Sequence, residues 1–217
     1  VAAELLTEFE LLPLLSERTG DELAAPPTAL HAKDSKAGYN VTTPQQAWVY
    51  WNTLQHQRTA GEVFEIAMEH ARRAVERAKA RTGQDIDVIS FAELKSKQAY
   101  SLPKQDASLN FPEQSRLATR ALIESLGITR PTVVMGFGSI PYSAVSLRDE
   151  SLRATVSEAV QPFGLGSVNY FAGISDIRFF CEASGDLSVV ASNSPIWGTS
   201  FTLVEPAVYP CINIGPW

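Results

Sequence analysis

A long amphipathic helix constrains the fold more than any other segment of this sequence. Thr59-Ala-Gly-Glu62 has the pattern of a capping box, and Gly83 is typical of the residue just past a helix end. Apolar residues recur between them at helical spacing: Val63, Ile66, Ala67, Ala71, Ala74 and Val75. We expect this face to pack on a sheet. We expect the charged residues to face solvent: Glu65, Glu69, Arg72, Arg73 and Arg77.

The residues before this helix predict a small α+β unit. Apolar residues at helical spacing run up to Pro13, namely Ala2, Leu5, Leu6, Phe9 and Leu12. A polar connector over residues 21–27 follows. Residues 28–33 and the aromatic run from Trp48 to Trp51 favour strands, and so do residues 86–91.

The second half of the chain has the pattern of an α/β layer fold. Residues 97–110 read as a linker, after which Asn110 and Glu113 predict the start of a helix that ends before Gly127. The expected packing face of that helix is formed by Leu117, Ala121 and Leu122. PTVVMGFG, residues 131–138, is a near-continuous apolar run of the kind found in strands buried on both faces.

The last third of the chain predicts one more helix and short strands. The helix spans about 149–161, with an inward face of Leu152, Val156, Ala159 and Val160. Short strands are expected over 176–181 and 212–214. The predicted fold class is therefore α+β for residues 1–105 and α/β for residues 106–217.

Composition excludes several classes of partner. The net charge of −6 and pI near 5.1 give no basic surface for nucleic acid or an anionic membrane. No apolar run approaches the roughly 20 residues that span a bilayer. The two cysteines, Cys181 and Cys211, lie in apolar stretches and are expected to be buried small side chains. A reducing cytoplasm fits this cysteine usage best.

No complete active site can be assembled from local motifs. The three histidines, His31, His56 and His70, have no second ligand at metal-binding spacing. His70 is expected on a charged helix surface and His56 at a strand end, each in a surface or capping role. The run GFGSIPYS has neither the lysine nor the following helix of a phosphate loop, and no nucleophile elbow occurs.

One loop is a candidate for ligand binding. NYFAGISDIRFF, residues 169–180, places Gly173, Ser175, Asp176 and Arg178 just before an apolar strand. Asp176 could cap backbone N–H groups of a turn. Alternatively, the loop could line a cleft in which Ser175 and backbone amides bind an anionic group. The residues alone leave both interpretations open.

Several motifs in order resemble a known family. Gly-Ile-Ser-Asp-Ile-Arg-Phe, from residue 173, resembles the Gly-Thr-Ser-Asp-Gly-Arg-Phe stretch of succinyl-diaminopimelate desuccinylase, a zinc-dependent exopeptidase or deacylase. PPTALHAKDSKAGYNVTTPQQAWVYWN, NYFAGISD, SPIWG and PCINIGPW resemble the RocB branch of that family. These segments are spread over residues 26–217.

The resemblance implies an architecture and an activity. Residues 1–105 would form an α+β lid, often a dimerisation surface in this family, and residues 106–217 the C-terminal part of an α/β catalytic domain. The parent enzyme would use two zinc ions to hydrolyse an amide bond of an N-acyl amino acid or small peptide. The implied substrate-binding residues are Asn52, Gly173, Ser175, Asp176 and Arg178, and we expect Asn52 and the 173–176 loop to border the same cleft.

The resemblance is incomplete in two respects. Tyr50-Trp51-Asn52 resembles the family's Phe-Asn-x-Arg strand, but Thr53 and Leu54 follow, so the arginine is missing. The family's His-x-Asp, bridging Asp and Glu-Glu ligands precede the lid, and its last His follows the Gly-Pro turn. Those positions would lie before Val1 and after Trp217, so the chain is expected to be a fragment.

A different class of function stays open. The chain could be a non-catalytic dimerisation or ligand-binding module that keeps the lid and the cleft wall without metal. The encoding reading frame discriminates between the two hypotheses. A His-x-Asp and a Glu-Glu pair upstream, with a His soon after Trp217, would favour the enzyme.

We predict that the 217-residue chain alone holds no stoichiometric zinc, because its histidines and cysteines are not clustered. Metal analysis of the purified chain after dialysis checks this. Tightly held zinc in stoichiometric amounts would place the ligands within this chain and contradict the expectation.

Overall fold

A computed structural model describes residues 1–36, 38, 41–55, 57–98, 106–139, 144–145, 149–168, 183–184 and 187–199. The helices are α1 (Ala2–Phe9), α2 (Ala60–Thr82), α3 (Phe91–Ser96), α4 (Phe111–Ser125), α5 (Glu150–Val160) and α6 (Leu187–Asn193). The strands are β1 (Arg18–Thr19), β2 (Glu22–Leu23), β3 (Thr28–Asp34), β4 (Ala47–Asn52), β5 (Asp87–Ser90), β6 (Thr132–Met135), β7 (Ala144–Val145) and β8 (Ala183–Ser184). Short 3₁₀ turns occupy Pro13–Leu15 and Gln161–Phe163. This mixture of helices and small sheets agrees with the expected mixed fold class.

The capped helix α2 forms as the sequence predicts. The Thr59 hydroxyl accepts from the Glu62 backbone N–H at 3.1 Å, and the Glu62 carboxylate accepts from the Thr59 N–H at 2.7 Å. At its other end, Gly83 adopts a left-handed conformation with φ of 67°. The two caps satisfy backbone groups that the helix itself leaves unpaired.

The core lies on both sides of α2. From α1, Leu5 and Phe9 pack with Val63, Ala71 and Ala74 of α2. Partly buried side chains from three strands complete this cluster: Trp51, Val88, Val133 and Met135. The expected packing of the α2 face on a sheet is therefore confirmed, and α1 contributes to the same core.

A parallel strand pair lies between α2 on one side and α3 and α4 on the other. β5 and β6 pair in register from Asp87 with Thr132 to Ser90 with Met135. Val133 packs toward α2, whereas Val134 packs on Phe91, Leu94 and Leu122 of α3 and α4. β6 therefore contacts other elements on both faces, but all four of its residues are only partly buried, short of the full burial that the apolar run predicts. The pair joins strands from either side of residue 105, and the division into two domains there stays a prediction.

The β3–β4 hairpin pairs antiparallel. Its register matches Thr28 with Asn52, His31 with Tyr50 and Lys33 with Trp48, and shifts between Ala29 and His31. On its inner side, Trp51 packs against Phe9, with ring centroids 4.9 Å apart. Both strands were expected from the sequence.

The buried Glu17 holds the connection from β4 to α2. Its carboxylate accepts from the backbone N–H of Gln57 at 2.5 Å and of Arg58 at 3.2 Å. The Arg58 guanidinium in turn donates to the Leu14 carbonyl at 2.5 Å. The carboxylate of Glu17, the residue just before β1, therefore fixes the end of β4 relative to the start of α2.

Several sequence expectations about local packing are wrong. The expected strand over residues 86–91 does form, as β5 (Asp87–Ser90), but it ends one residue early because Ser90 and Glu93 form a second capping box that starts α3. Leu117 is 38% exposed, and the buried face of α4 is formed by Gln114, Ser115, Ala118, Thr119 and Leu122. None of the α5 residues is fully buried, and Ala159 is exposed.

His70 was expected on the helix surface, but it is buried between α1 and α2. Only 5% of the residue is exposed, and its Nδ1 lies 2.6 Å from Glu8 Oε1. The other Glu8 oxygen accepts from Arg77 at 2.5 Å, and Glu4 accepts from Arg77 and Arg81. Arg77 therefore belongs to the α1–α2 interface, where α1 brings two carboxylates against the basic side of α2.

This interface changes the ionisation of both carboxylates. The pKa of Glu4 lies below its usual value because Arg77 donates to it. Burial pushes the pKa of Glu8 upward, but the hydrogen bonds from His70 and Arg77 outweigh burial, so its pKa is also lowered. Ionised Glu8 therefore stabilises the docking of α1.

No helix among the described residues combines the length and the apolar character needed to cross a bilayer.

We predict that Glu8→Gln lowers the free energy of unfolding by about 1–3 kcal/mol at neutral pH, since it removes the charged acceptor of His70 and Arg77. The pKa of Glu8 is lower in the folded state than in the unfolded state, where it is near 4.5, so the stability difference between the variant and the wild type is fully present above pH 4.5. It is lost as the pH falls through the lower pKa of the folded state. Denaturant unfolding from pH 7 to 3 measures it. Glu65→Gln, an exposed carboxylate on α2, is the control. Equal losses in both variants would contradict the assignment.

Candidate functional site

The structure places one of the predicted site residues. Asn52 is exposed at the end of β4, opposite Thr28, and its side chain has no hydrogen bond within the described part of the chain. Gly173, Ser175, Asp176 and Arg178 lie outside the described residues. So do Cys181, Cys211, His56 and the strands expected over 176–181 and 212–214. That Asn52 borders the same cleft as the 173–176 loop therefore stays a prediction.

Asn52 belongs to a polar-aromatic face of the hairpin. Alternation along β4 puts Asn52, Tyr50 and Trp48 on one side, and their cross-strand partners lie on the same side. The polar-aromatic face consists of Thr28, His31, Lys33, Trp48, Tyr50 and Asn52. Because Trp51 on the opposite side reaches the core, the face directs its side chains away from α1 and α2.

The rings of this face are ordered by stacking. His31 and Tyr50 lie nearly parallel, with ring centroids 5.4 Å apart and 19° between the planes. Trp48 lies next to Tyr50 at 6.5 Å, tilted by 58°. Together the stacked His31 and Tyr50 rings and the tilted Trp48 ring form an aromatic wall between Asn52 and Lys33.

Two ring nitrogens on this face lack hydrogen-bond partners. His31 Nε2 and Trp48 Nε1 are both shielded from solvent and have no partner within the described part of the chain. A buried polar group left unpaired costs about 1–3 kcal/mol, so such groups call for an explanation in a native structure. Trp51 Nε1, on the opposite side of β4, is unpaired in the same way, so these nitrogens do not by themselves single out the polar-aromatic face.

The carboxyl end of β6 approaches the same face. A Cβ added at Gly138 would lie 3.7 Å from Tyr50 Cβ and 4.0 Å from Trp48 Cζ2. Carboxyl ends of parallel strands are where α/β folds commonly mount their binding residues. The hairpin face and the end of β6 therefore meet at one place in the fold.

Asn193 fixes this end of β6, and the sequence analysis did not identify it. Its backbone carbonyl accepts from the Phe137 N–H at 2.9 Å, and its side-chain oxygen accepts from the Ala92 N–H at 3.1 Å. It is only 5% exposed. The SPIWG motif begins at the next residue, but no local pattern indicates that Asn193 bridges two distant segments.

The described residues do not fit a two-zinc site. Within them no group of three histidine, cysteine, aspartate or glutamate side chains is close enough to hold a metal ion. His70 is engaged with Glu8, and His31 stacks on Tyr50. No metal-dependent step can therefore be derived from this part of the chain.

Two cavities lie away from the polar-aromatic face. A groove of about 600 Å³ runs along the first turns of α2 and reaches Val189 of α6. A smaller one of about 340 Å³ lies at the amino ends of β5 and β6, next to Lys97 and Arg130. Neither includes Asn52 in its lining.

Two proteins of Bacillus subtilis (strain 168) are similar to this chain. The uncharacterized protein YqjN is 25% identical over all of the chain, and Protein RocB is 24% identical over 93% of it. The chain spans 47% of YqjN and 44% of RocB, so it corresponds to about half the length of each. No family model matches. No solved structure matches either. The chain is therefore a distant relative of RocB.

We predict that Gly136→Ala destabilises the chain by about 1–3 kcal/mol, the range for overpacking. The added Cβ would lie 2.9 Å from the Asn193 carbonyl oxygen and 3.2 Å from Phe91 Cβ. Thermal unfolding measures the loss. In the control Gly166→Ala the new methyl group meets nothing within 4 Å. A Gly136→Ala variant as stable as this control would show that β6 and Asn193 are not in close contact.

Proposed function

We propose that this chain is part of a RocB-like, metal-dependent hydrolase that cleaves an amide bond of an N-acyl amino acid or small peptide. The observation that carries the proposal is the similarity to RocB along 93% of the chain. The ordered motifs that resemble zinc-dependent exopeptidases and deacylases supply the reaction class. The chain spans 44% of RocB, so the activity proposed is that of a longer parent protein.

In this proposal residues 1–105 belong to the lid, and residues 106–217 to the C-terminal part of the catalytic domain. The β3–β4 hairpin and α2 are the main elements of the lid. The pairing of β5 with β6 then joins the two parts, since the proposed boundary lies between these strands in the sequence. The residues that hold two zinc ions would belong to other parts of the parent.

The chemistry proposed for Asn52 is stabilisation of negative charge. Attack on an amide carbonyl builds charge on its oxygen, and a neutral amide N–H is a suitable donor for it. Asn52 is exposed, and its amide is not used within the described hairpin. In this proposal the Gly173, Ser175 and Asp176 loop and Arg178 supply further contacts to the substrate, and lid closure brings the two sets together.

Three further properties belong to the same proposal. The parent would act in arginine or amino-acid catabolism, reside in the cytoplasm and form a homodimer through its lid. Among the described residues no third strand pairs with the β3–β4 hairpin, and such sheet edges offer backbone groups for pairing with a second copy. Sedimentation of the chain at high concentration tests the dimer separately from the activity.

The reaction class can be tested on the intact parent protein. Purified parent should hydrolyse N-acetyl amino acids, lose activity with a metal chelator and recover it with zinc. Substrate binding without hydrolysis under any metal condition would favour the alternative, a non-catalytic binding or dimerisation module.

We predict that Asn52→Ala in the parent lowers kcat about 10- to 1000-fold, the range for loss of one oxyanion donor. Folding should change little, because Asn52 is exposed and makes no side-chain hydrogen bond within the described residues. Steady-state kinetics with a thermal melt of the same preparation measures both.

The control for this variant is Gln84→Ala, which removes an exposed amide in the turn after α2. It should leave both kcat and the melting temperature unchanged. An Asn52→Ala enzyme that melts earlier but keeps its kcat per folded molecule would assign Asn52 a structural role.

A further inference from the structure

We infer that Glu17 is a positioning residue of the candidate site, because its carboxylate holds the end of β4 and so fixes the location of the Asn52 amide. This role rests on the proposed function, in which that amide stabilises charge on the substrate oxygen. Glu17 belongs to none of the motifs that point to the site, and it lies far from Asn52 in the sequence.

Glu17 is the centre of a clasp between the residues around β1 and the connection from β4 to α2. Its carboxylate accepts from the backbone N–H groups of Gln57 at 2.5 Å and Arg58 at 3.2 Å. The Arg58 guanidinium donates to the Leu14 carbonyl at 2.5 Å, and the Gln57 side-chain amide donates to the Thr19 hydroxyl at 3.2 Å. These five residues form the Glu17 clasp, which joins two segments that are distant in the sequence.

A carboxylate suits this place better than a side-chain amide. Glu17 is buried, and its two oxygens can accept from both N–H groups at once. A glutamine has one acceptor oxygen, and its NH₂ group would turn a donor toward one of the two N–H groups. Both N–H groups also precede the amino end of α2, where the helix dipole favours negative charge. Loss of the carboxylate should therefore loosen the connection.

The segment that carries Glu17 is itself held by the core. Leu15 is buried in the cluster that contains Phe9 and Val63. The Glu17 carbonyl accepts from the Ala24 N–H at 2.8 Å, which ties the residue to the turn between β1 and β2. Glu17 is therefore a fixed point to which the connection is attached.

Asn52 depends on this attachment for its location. Its pair with Thr28 is the end pair of the hairpin register, so the ladder does not extend beyond it. Its side chain makes no hydrogen bond within the described residues. Four residues lie between Asn52 and Gln57, and one of them, Gln55, is buried, so the connection has little slack. A shift at the clasp is therefore transmitted to the Asn52 amide.

Small displacements of this amide would matter for the proposed reaction. A donor stabilises the developing charge when it lies about 2.7–3.1 Å from the oxygen that carries it. A misplacement of about 1 Å can cost about 100-fold in rate. Because the charge is present only in the transition state, a misplaced donor should lower kcat and leave KM nearly unchanged.

The clasp itself is tested on the 217-residue chain by hydrogen exchange followed with NMR. In Glu17→Gln the backbone amides of Gln57 and Arg58 should exchange about tenfold faster, whereas those in the middle of α2 should be unchanged. The control Glu158→Gln, an exposed carboxylate on α5, should change none of them. Unchanged exchange at Gln57 and Arg58 would show that the carboxylate does not hold the connection. A uniform increase over the whole chain would assign Glu17 a general role in stability.

The link to Asn52 is tested in the parent enzyme by a double-mutant cycle. Glu17→Gln should lower kcat about 10- to 100-fold per folded molecule, with KM within about twofold of the wild-type value. In an Asn52→Ala background the same substitution should lower kcat no further, because the amide that Glu17 positions is gone. Steady-state kinetics of the four enzymes with N-acetyl-L-methionine measures this, and a thermal melt of each gives the folded fraction.

A second variant keeps the test decisive if Glu17→Gln folds poorly. Arg58→Met removes the hydrogen bond to the Leu14 carbonyl and leaves the buried carboxylate in place. It should lower kcat by a smaller factor than Glu17→Gln, again with little change in KM and no further loss in the Asn52→Ala background.

Three kinetic results would overturn the inference. They are a wild-type kcat in folded Glu17→Gln, a rise in KM without a loss of kcat, and losses of kcat that multiply in the double variant. Multiplying losses would mean that Glu17 acts on another part of the enzyme than Asn52.

These outcomes are distinguishable from a failure of the proposed function. An active parent in which Glu17→Gln changes nothing would remove the role of Glu17 and leave the hydrolase intact. A parent that hydrolyses no amide would instead remove the roles of Asn52 and Glu17 together.

Discussion

The close packing of α2 is the constraint on which the rest of the structure depends. Ala71, Ala74 and Ala78 are almost fully buried, and such small side chains let neighbouring elements approach the helix axis. α1 packs on one part of this surface and β5 on another. A larger residue at any of these positions would separate layers that share one core, so the positions of β4 and β6 both depend on α2.

Electrostatics reinforces this packing on the α1 side. Glu4 and Glu8 lie against His70, Arg77 and Arg81, so the short helix α1 is held by charge as well as by Leu5 and Phe9. An eight-residue helix has little stability of its own, and tertiary contacts must supply it. Phe9 then supports Trp51, which leaves the other side of β4 available for Asn52 and the aromatic wall.

The candidate site follows from this arrangement. One face of the hairpin is used for the core, and the other carries aromatic, amide and cationic groups next to the carboxyl end of β6. Asn193 ties that end to α3. A binding surface built on a strand pair supported from behind is more rigid than one built on a loop, as positioning a substrate requires.

The sequence by itself determined the elements whose signals are local. Three such signals are the capping box at Thr59, the left-handed Gly83 and the aromatic run of β4. Each involves residues only a few positions apart, so the helix and the strand that they specify could be predicted without knowing the fold. Asn52 could be singled out only through the motif that it resembles.

Only the tertiary structure decided which residues meet across long separations. His70 is buried because Glu8, 62 residues earlier, supplies an acceptor that no local pattern reveals. Leu117 points outward although its spacing favours burial, because α3 packs on a neighbouring face of α4 that includes Leu122. Lys33 and Asn52 share a face because of a strand register that shifts between Ala29 and His31. Contacts of this kind depend on the partner that packing provides, and helical or strand periodicity does not encode that partner.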